Sequence, residues 1–277
     1  QVDCGSEVRF YFSAEDEFGQ VTTSPSGAPT ETYVAFVTTD GFVVHFEDNF
    51  ENDLGWTVTN SAGLTDGAWD RGVPVANCDR GNPPTDADGS GQCYLTDNSA
   101  AGNCNSDVDN GVTRLTSPAL DATVPNAYIS YWRWYSNVEG DSPYQDVFTV
   151  QVSDNNGATW TNLEVVGPTG PEVEGGWYFK QFRIDAFVEP TSTFRIRFLA
   201  EDANPGSVVE AAVDGVRIQS LTCDPGLFGD LNGDGFVNGA DLGVLLGNWG
   251  GSGAGDLNND GTVDGADVGM LLAAWTS

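Results

Sequence analysis

Asp230-Leu-Asn-Gly-Asp-Gly235, followed by Gly239-Ala-Asp-Leu-Gly-Val-Leu-Leu246 and Trp249, recurs 26 residues later as Asp256-Leu-Asn-Asn-Asp-Gly261, Gly265-Ala-Asp-Val-Gly-Met-Leu-Leu272 and Trp275. A repeat held in register over that length leaves few folds open. Each copy reads as one loop and one helix, and the copies must pack on each other because neither buries an apolar face alone. Within each loop acids and amides alternate, and Gly235 or Gly261 follows the third of them. Calcium takes about six to eight hard oxygens, and a short loop supplies them when alternate residues turn inward around a sharp glycine bend. The first ligand set is then Asp230, Asn232, Asp234, the Phe236 carbonyl, Asn238 through a water, and Asp241. The second is Asp256, Asn258, Asp260, the Thr262 carbonyl, Asp264 and Asp267.

After each loop the apolar residues fall at helical spacing: Leu242, Leu245, Leu246 and Trp249, then Val268, Leu271, Leu272 and Trp275. Both stripes are expected to bury, with Trp249 and Trp275 in a shared core. Gly243, Gly247 and Gly269 weaken the helices by about 1 kcal/mol each. Folding of this segment is therefore expected to be coupled to calcium. Residues 224–277 hold eight Asp and no Lys or Arg. This pair of loop–helix repeats, each loop ending in Asp, resembles a type I dockerin domain over about residues 228–277. The resemblance implies a docking module with calcium as a structural clip and a cohesin-like partner. Where dockerins present hydroxyl and basic residues to a cohesin, this chain has Gly239-Ala240 and Gly265-Ala266.

The rest of the chain reads as mainly β. Tyr128–Tyr135, Asp146–Ser153, Thr193–Leu199 and Ser207–Ile218 alternate or run apolar, as sandwich strands do. The expected division is a strand segment over 1–45, a sandwich over 46–222 and the repeats over 223–277. In the first segment, Glu7–Ala14, Thr32–Thr38 and Gly41–Phe46 are strand-like, with a Ser/Thr/Pro run at 22–30 between them. Cys4–Gly19 resembles the closing hairpin of an immunoglobulin-like domain, so residues 1–45 are a partial domain whose strands pair elsewhere.

The middle region resembles the jelly-roll sandwiches of secreted, dockerin-bearing proteins of planctomycete-like bacteria. The residues behind this are Phe50-Glu-Asn-Asp-Leu-Gly-Trp56, Asp88-Gly-Ser-Gly-Gln-Cys-Tyr-Leu-Thr-Asp-Asn98, Leu115–Asp121 and Val209–Asp214. The resemblance implies a structural calcium held by Glu51 and Asp214. Asp86, Asp88, Asp97, Asp107 and Asp109 crowd one loop, which is either a second ion site or a solvated acidic turn. Ser153–Trp160 resembles the Asp-box hairpin, with Asn155 where the box has Asp. Trp69, Trp132, Trp134 and Trp177 are either sugar platforms or core residues.

Charge excludes several functions. With 41 acids against 10 bases the net charge is -31, which repels nucleic acid and anionic membranes. No apolar run approaches the roughly 20 residues of a membrane helix. The start at Gln1 suggests a processed protein or a fragment. Five Cys without a C-x-x-C pair read as disulfides of a secreted protein, with Cys78–Cys93 the expected pair and Cys4 left over. His45 is the only His, which leaves little material for a Ser-His-Asp or Cys-His site. The expected function is a secreted, non-catalytic, calcium-stabilised adhesion or assembly protein whose partners are other subunits or a cohesin-like domain, extending to an extracellular filament. The alternative is a polysaccharide-binding accessory fragment of a larger secreted hydrolase.

Overall fold

The computed structural model describes all of the chain except residues 1–5, 31, 38–40, 76–79, 99–106, 204–205, 222–226 and 277. Cys4, Cys78, Cys104 and Cys223 lie outside the described residues. Two compact units emerge, one of Phe42–Leu221 and one combining Gln1–Gly41 with Thr222–Ser277. Among the described residues no helix is long and apolar enough to cross a membrane.

The N-terminal strands form two small antiparallel ladders. β1 (Glu7–Phe10) needs a partner, and β2 (Phe12–Glu15) follows it after one residue. β3 (Val21–Ser24) pairs with β2, and β4 (Tyr33–Phe36) pairs with β1. Phe10, Phe12 and Tyr33 gather with ring centroids 5.6–5.9 Å apart. Little of this surface is covered: Phe12 is 63% exposed, Phe18 80% and Val21 60%.

The second unit is a sandwich of two antiparallel sheets. Its strands are β5 (Phe42–Asp48), β6 (Thr57–Asn60), β7 (Trp69–Gly72), β8 (Cys93–Thr96), β9 (Gly111–Thr116), β10 (Ala127–Gly140), β11 (Phe148–Ser153), β12 (Thr161–Val166), β13 (Tyr178–Arg183), β14 (Arg195–Asp202) and β15 (Ser207–Leu221). One sheet runs β13-β10-β15-β8-β7, with β5 added to the far half of β15; the other runs β12-β11-β14-β9-β6. β5 was expected to belong with residues 1–45, but its backbone groups are satisfied by β15, with Phe46 opposite Ile218 and Val44 opposite Gln219.

Alternation dictates the inner faces. In β14, Ile196, Phe198 and Ala200 are buried while Arg195, Arg197 and Leu199 are turned outward. Phe148, Phe198, Tyr131, Tyr135 and Trp56 interlock in the core by stacked and edge-on contacts. β15 is buried on both faces because residues 80–92 lie across the outer side of its sheet. Trp134 Nε1 donates to the Gly81 carbonyl at 2.6 Å, and Trp177 Nε1 to that of Thr85 at 2.9 Å. Cys93 is sealed beneath with Leu95 and Ala212 as a free thiol, so the expected Cys78–Cys93 bridge is not formed. Gly67 shows why a glycine is needed where two loops cross: its φ is +80°, and a Cβ there would meet Val108 Cα at 2.3 Å.

The repeats form a separate small core. Helices α1 (Gly239–Gly247) and α2 (Gly265–Ala273) each follow one loop and begin with a capping box, built on Asn238 with Asp241 and on Asp264 with Asp267. Val237, Leu245, Val263 and Leu271 are fully buried, with Leu231, Leu242, Leu257, Val268 and Ala274 packed around them. Trp249 and Trp275 do not join this core. They are 54% and 43% exposed, and Leu246 and Leu272 are 52% each. Two nine-residue helices meet along too narrow a seam to cover a four-residue stripe, so only its inner edge is buried.

Candidate metal centres

The first repeat loop folds its acids inward through backbone hydrogen bonds. Asp230 accepts from the amides of Gly233, Asp234 and Gly235 at 2.8, 3.2 and 2.8 Å. Asn232 Oδ1 accepts from Asp234 N at 3.0 Å, and Asp234 Oδ1 from Phe236 N at 2.9 Å. Asp241, fully buried in the first turn of α1, accepts from Leu231 N at 2.8 Å, Asn232 N at 3.2 Å and Asn238 N at 2.8 Å. Those donors hold its carboxyl below the usual range, the Asn238 amide foremost. As a result one oxygen of each of Asp230, Asp234 and Asp241 falls within 4.8 Å of the others. Gly235, at φ +84°, allows the bend.

The second loop repeats all but one of these bonds, and its three aspartates do not gather as closely as those of the first. Asp256 accepts from Asp260 N and Gly261 N at 3.1 and 2.8 Å, and Asn258 Oδ1 from Asp260 N at 2.9 Å. Asp260 accepts from Thr262 N at 3.0 Å, while Asp267 accepts from Leu257, Asn258 and Asp264 at 2.8, 3.2 and 2.8 Å. Asn238 and Asp264 use Oδ1 to cap their helices at Ala240 N and Ala266 N. Phe236 turns a 59% exposed ring away, which leaves its backbone as its contribution to the loop. Clustered carboxylates with no Lys or Arg in residues 224–277 are the donor set a hard dication fits.

A second close cluster lies in the sandwich. Asp214 in β15 is fully buried and meets Asp86 and Asp88 of the overlying loop within 4.8 Å. Its Oδ2 accepts from Ala87 N and Asp88 N at 2.9 and 3.3 Å, and its Oδ1 from Gly215 N at 2.7 Å. Burial pushes its carboxyl up to about 7, against the pull of the Ala87 amide, and the charge of Asp88 adds to the rise. Glu51, expected to hold a calcium together with Asp214, is not among the three acids the fold clusters there. Its Oε1 accepts from Gln92 N at 2.6 Å, while Asp86 Oδ2 accepts from the neighbouring Gly91 N at 2.9 Å. The structure thus joins Asp214 to two acids of the crowded loop, 126 and 128 positions earlier in the sequence. Spacing carries no signal for that contact. The rest of the acidic loop goes elsewhere: Asp107 is buried against Arg80, and burial raises it to about 6.

The remaining candidates resolve individually. Ser153 Oγ and Asn155 bind the amides of Gly157 and Thr159 at 2.9 Å each, which closes the β11–β12 turn without Asp. Trp69 is in the core, and Trp134 and Trp177 tie down the loop. Trp132 packs against Phe179, with centroids 5.3 Å apart. His45 Nε2 lies 2.7 Å from Ser220 Oγ at the β5–β15 bulge, and no carboxylate reaches the ring among the described hydrogen bonds.

No protein-family model and no curated protein matches the chain. Solved structures match it weakly. The K1 cleaved adhesin domain of Lys-gingipain from Porphyromonas gingivalis W83 is 18% identical over 63% of this chain and 97% of its own, with a TM-score of 0.40. The family 11 carbohydrate-binding module of Clostridium thermocellum, in complex with a β-1,3-1,4-mixed-linked tetrasaccharide, is 12% identical over 67% and 99%, with a TM-score of 0.39. The CBM22-1 xylan-binding domain of Paenibacillus barcinonensis Xyn10C is 15% identical over 67% and 99%, with a TM-score of 0.37. At these scores the likeness carries no function to this chain.

Proposed function

We propose that the chain is a secreted, non-catalytic, calcium-stabilised adhesion or assembly protein, and that its C-terminal repeats act as a dockerin-like docking module. One observation carries this reading. The two loops share all but one of their carboxylate-to-backbone bonds, and each is followed by a helix that holds one leucine inward and a Leu–Trp pair outward, Leu246 with Trp249 and Leu272 with Trp275. Calcium would hold the loops, and so the helices, in the arrangement that presents those pairs. The occupant favoured is a second copy of the chain, since Phe12, Phe18 and Val21 of the N-terminal ladders offer uncovered apolar surface. A strand of that segment added to a neighbour's sheet would extend such contacts into an open fibre when the rotation does not close.

Sedimentation velocity of the intact chain tests this in millimolar-range calcium and in chelator. Association is expected in calcium, reversed by chelator and weakened in a Trp249→Ser, Trp275→Ser double variant. A clean monomer at high protein concentration in calcium would overturn self-assembly.

A second reading, polysaccharide binding, rests on the outer face of the five-stranded sheet. There the Arg197 guanidinium lies 4.0 Å over the Trp160 ring, Arg197 Nε donates to Gln151 at 2.7 Å, and Gln151 donates to Asn162 at 2.7 Å. A guanidinium stacked on an indole and flanked by amides suits sugar hydroxyls. Glycan-array binding that is lost in Trp160→Ala would favour it.

A further inference from the structure

We infer a buried calcium site between the two sheets of the sandwich, formed by Asp146 and Asp202 from one sheet and Asn137 from the other. Phe148 lies opposite Ala200 in the β11–β14 ladder, so continuing that register sets Asp146 opposite Asp202 on the inner face. Ala203 N donating to Asp146 Oδ1 at 2.9 Å holds the two strand ends together at this point. Both acids are buried, at 1% and 2% exposure. Like charges directly opposite in a ladder repel, and burial makes the repulsion worse. Asn137, at 0% exposure, approaches from β10. Its Nδ2 donates to the carbonyls of Asp146 and Pro168 at 2.9 and 3.1 Å, which fixes the amide's orientation and turns Oδ1 away from them.

The oxygens left over point to the ligand. Among the described residues no group bonds Asp146 Oδ2 or Asn137 Oδ1, although both atoms are sealed from solvent. The Tyr135 hydroxyl is sealed too, beside the Asn137 side chain. Asp202 Oδ2 accepts from Asn110 N at 3.2 Å. Buried polar atoms are almost always satisfied; the phenol's single proton serves at most one of these acceptors, so the other, beside the facing carboxylates, asks for a cation. Carboxylate and amide oxygens without nitrogen or sulfur favour calcium over zinc, and an enclosed site disfavours magnesium, which keeps its waters. The site is independent of the repeats and of the docking reading.

The test is bound calcium per intact chain, measured by atomic emission after stripping, reloading and gel filtration. Asp146→Asn removes the charge yet keeps the oxygen that accepts from Ala203 N. It is expected to hold one calcium fewer than the unmodified chain. Asn137→Ala, which changes no charge, serves if the first variant fails to fold. It should weaken one class of sites by about tenfold in titration calorimetry and leave the others unchanged. Equal calcium counts and affinities in the variants and the parent would overturn the site. So would a stabilising effect of Asp146→Asn on the calcium-free chain with no change in count, since that is the signature of a shared proton or a buried water only.

Discussion

Glu210 is 1% exposed in β15, and its Oε2 accepts from Thr96 Oγ1 at 2.8 Å. Burial raises its carboxyl well above the usual 4.5, and the charge of Asp107 adds to this while Thr96 and Arg80 oppose it. The folded chain therefore keeps the proton to a higher pH than the unfolded chain does. Its contribution to stability is full below about 4.5 and is lost as pH rises toward the folded value. Glu210→Gln should accordingly leave stability at pH 4 unchanged and raise it at pH 8 by about 1 kcal/mol or more, read from urea unfolding at the two pH values. A uniform loss at both would show that the carboxylate is needed in its charged form.

At the scale of the element, the repeats separate two roles that one helical stripe carries. Leu271 is fully buried in the small core, so Leu271→Ala should destabilise residues 227–276 by about 2–4 kcal/mol. Trp275 is 43% exposed, so Trp275→Ala should cost well under that while weakening association. Helix ellipticity followed through guanidinium unfolding separates the two, and equal losses would put Trp275 back in the core. Excess chelator should abolish the α1 and α2 signal while the sandwich strands persist, because clustered aspartates repel once their cation is gone. Helical ellipticity unchanged by chelator would count against coupled folding. Asp230→Ala and Asp256→Ala should interact, since Val237, Leu245, Val263 and Leu271 from both repeats share one core. Strictly additive calcium affinities in the double variant would contradict this.

For the molecule as a whole, the boundary at Phe42 decides how the N-terminal segment is to be tested. Removing residues 1–41 leaves β5 on β15, whereas removing 1–45 cuts away Val43 and Val44, which pair with Ser220 and Gln219. The shorter deletion should give soluble monomers in calcium with the melting temperature of the sandwich unchanged. The longer one should lower that temperature by several degrees. Light scattering with differential scanning calorimetry on both forms is the check, and assembly surviving the shorter deletion would remove the N-terminal ladders from the interface.

What the sequence by itself determined is what short-range periodicity encodes. The 26-residue shift placed two loops and two helices, the glycines at 235 and 261 marked the bends, and alternation along β11 and β14 picked out the inner face. These are legible because a helix or strand repeats its environment every few residues, and a turn is chosen by the residues within it. Tertiary structure alone decided the rest. Trp249 and Trp275 fit the helical stripe yet stay outside, since coverage depends on how wide a face the second helix presents. Asp214 meets Asp86 and Asp88 because a loop folds back across β15, and Asp146 bonds Ala203 because two strands share a register. Cys93 is a buried thiol for the same reason, lying under that loop beside Ala212. Contacts of this kind join residues tens of positions or more apart, and the free energy that brings them together comes from closing the whole sandwich core, which no local pattern contains.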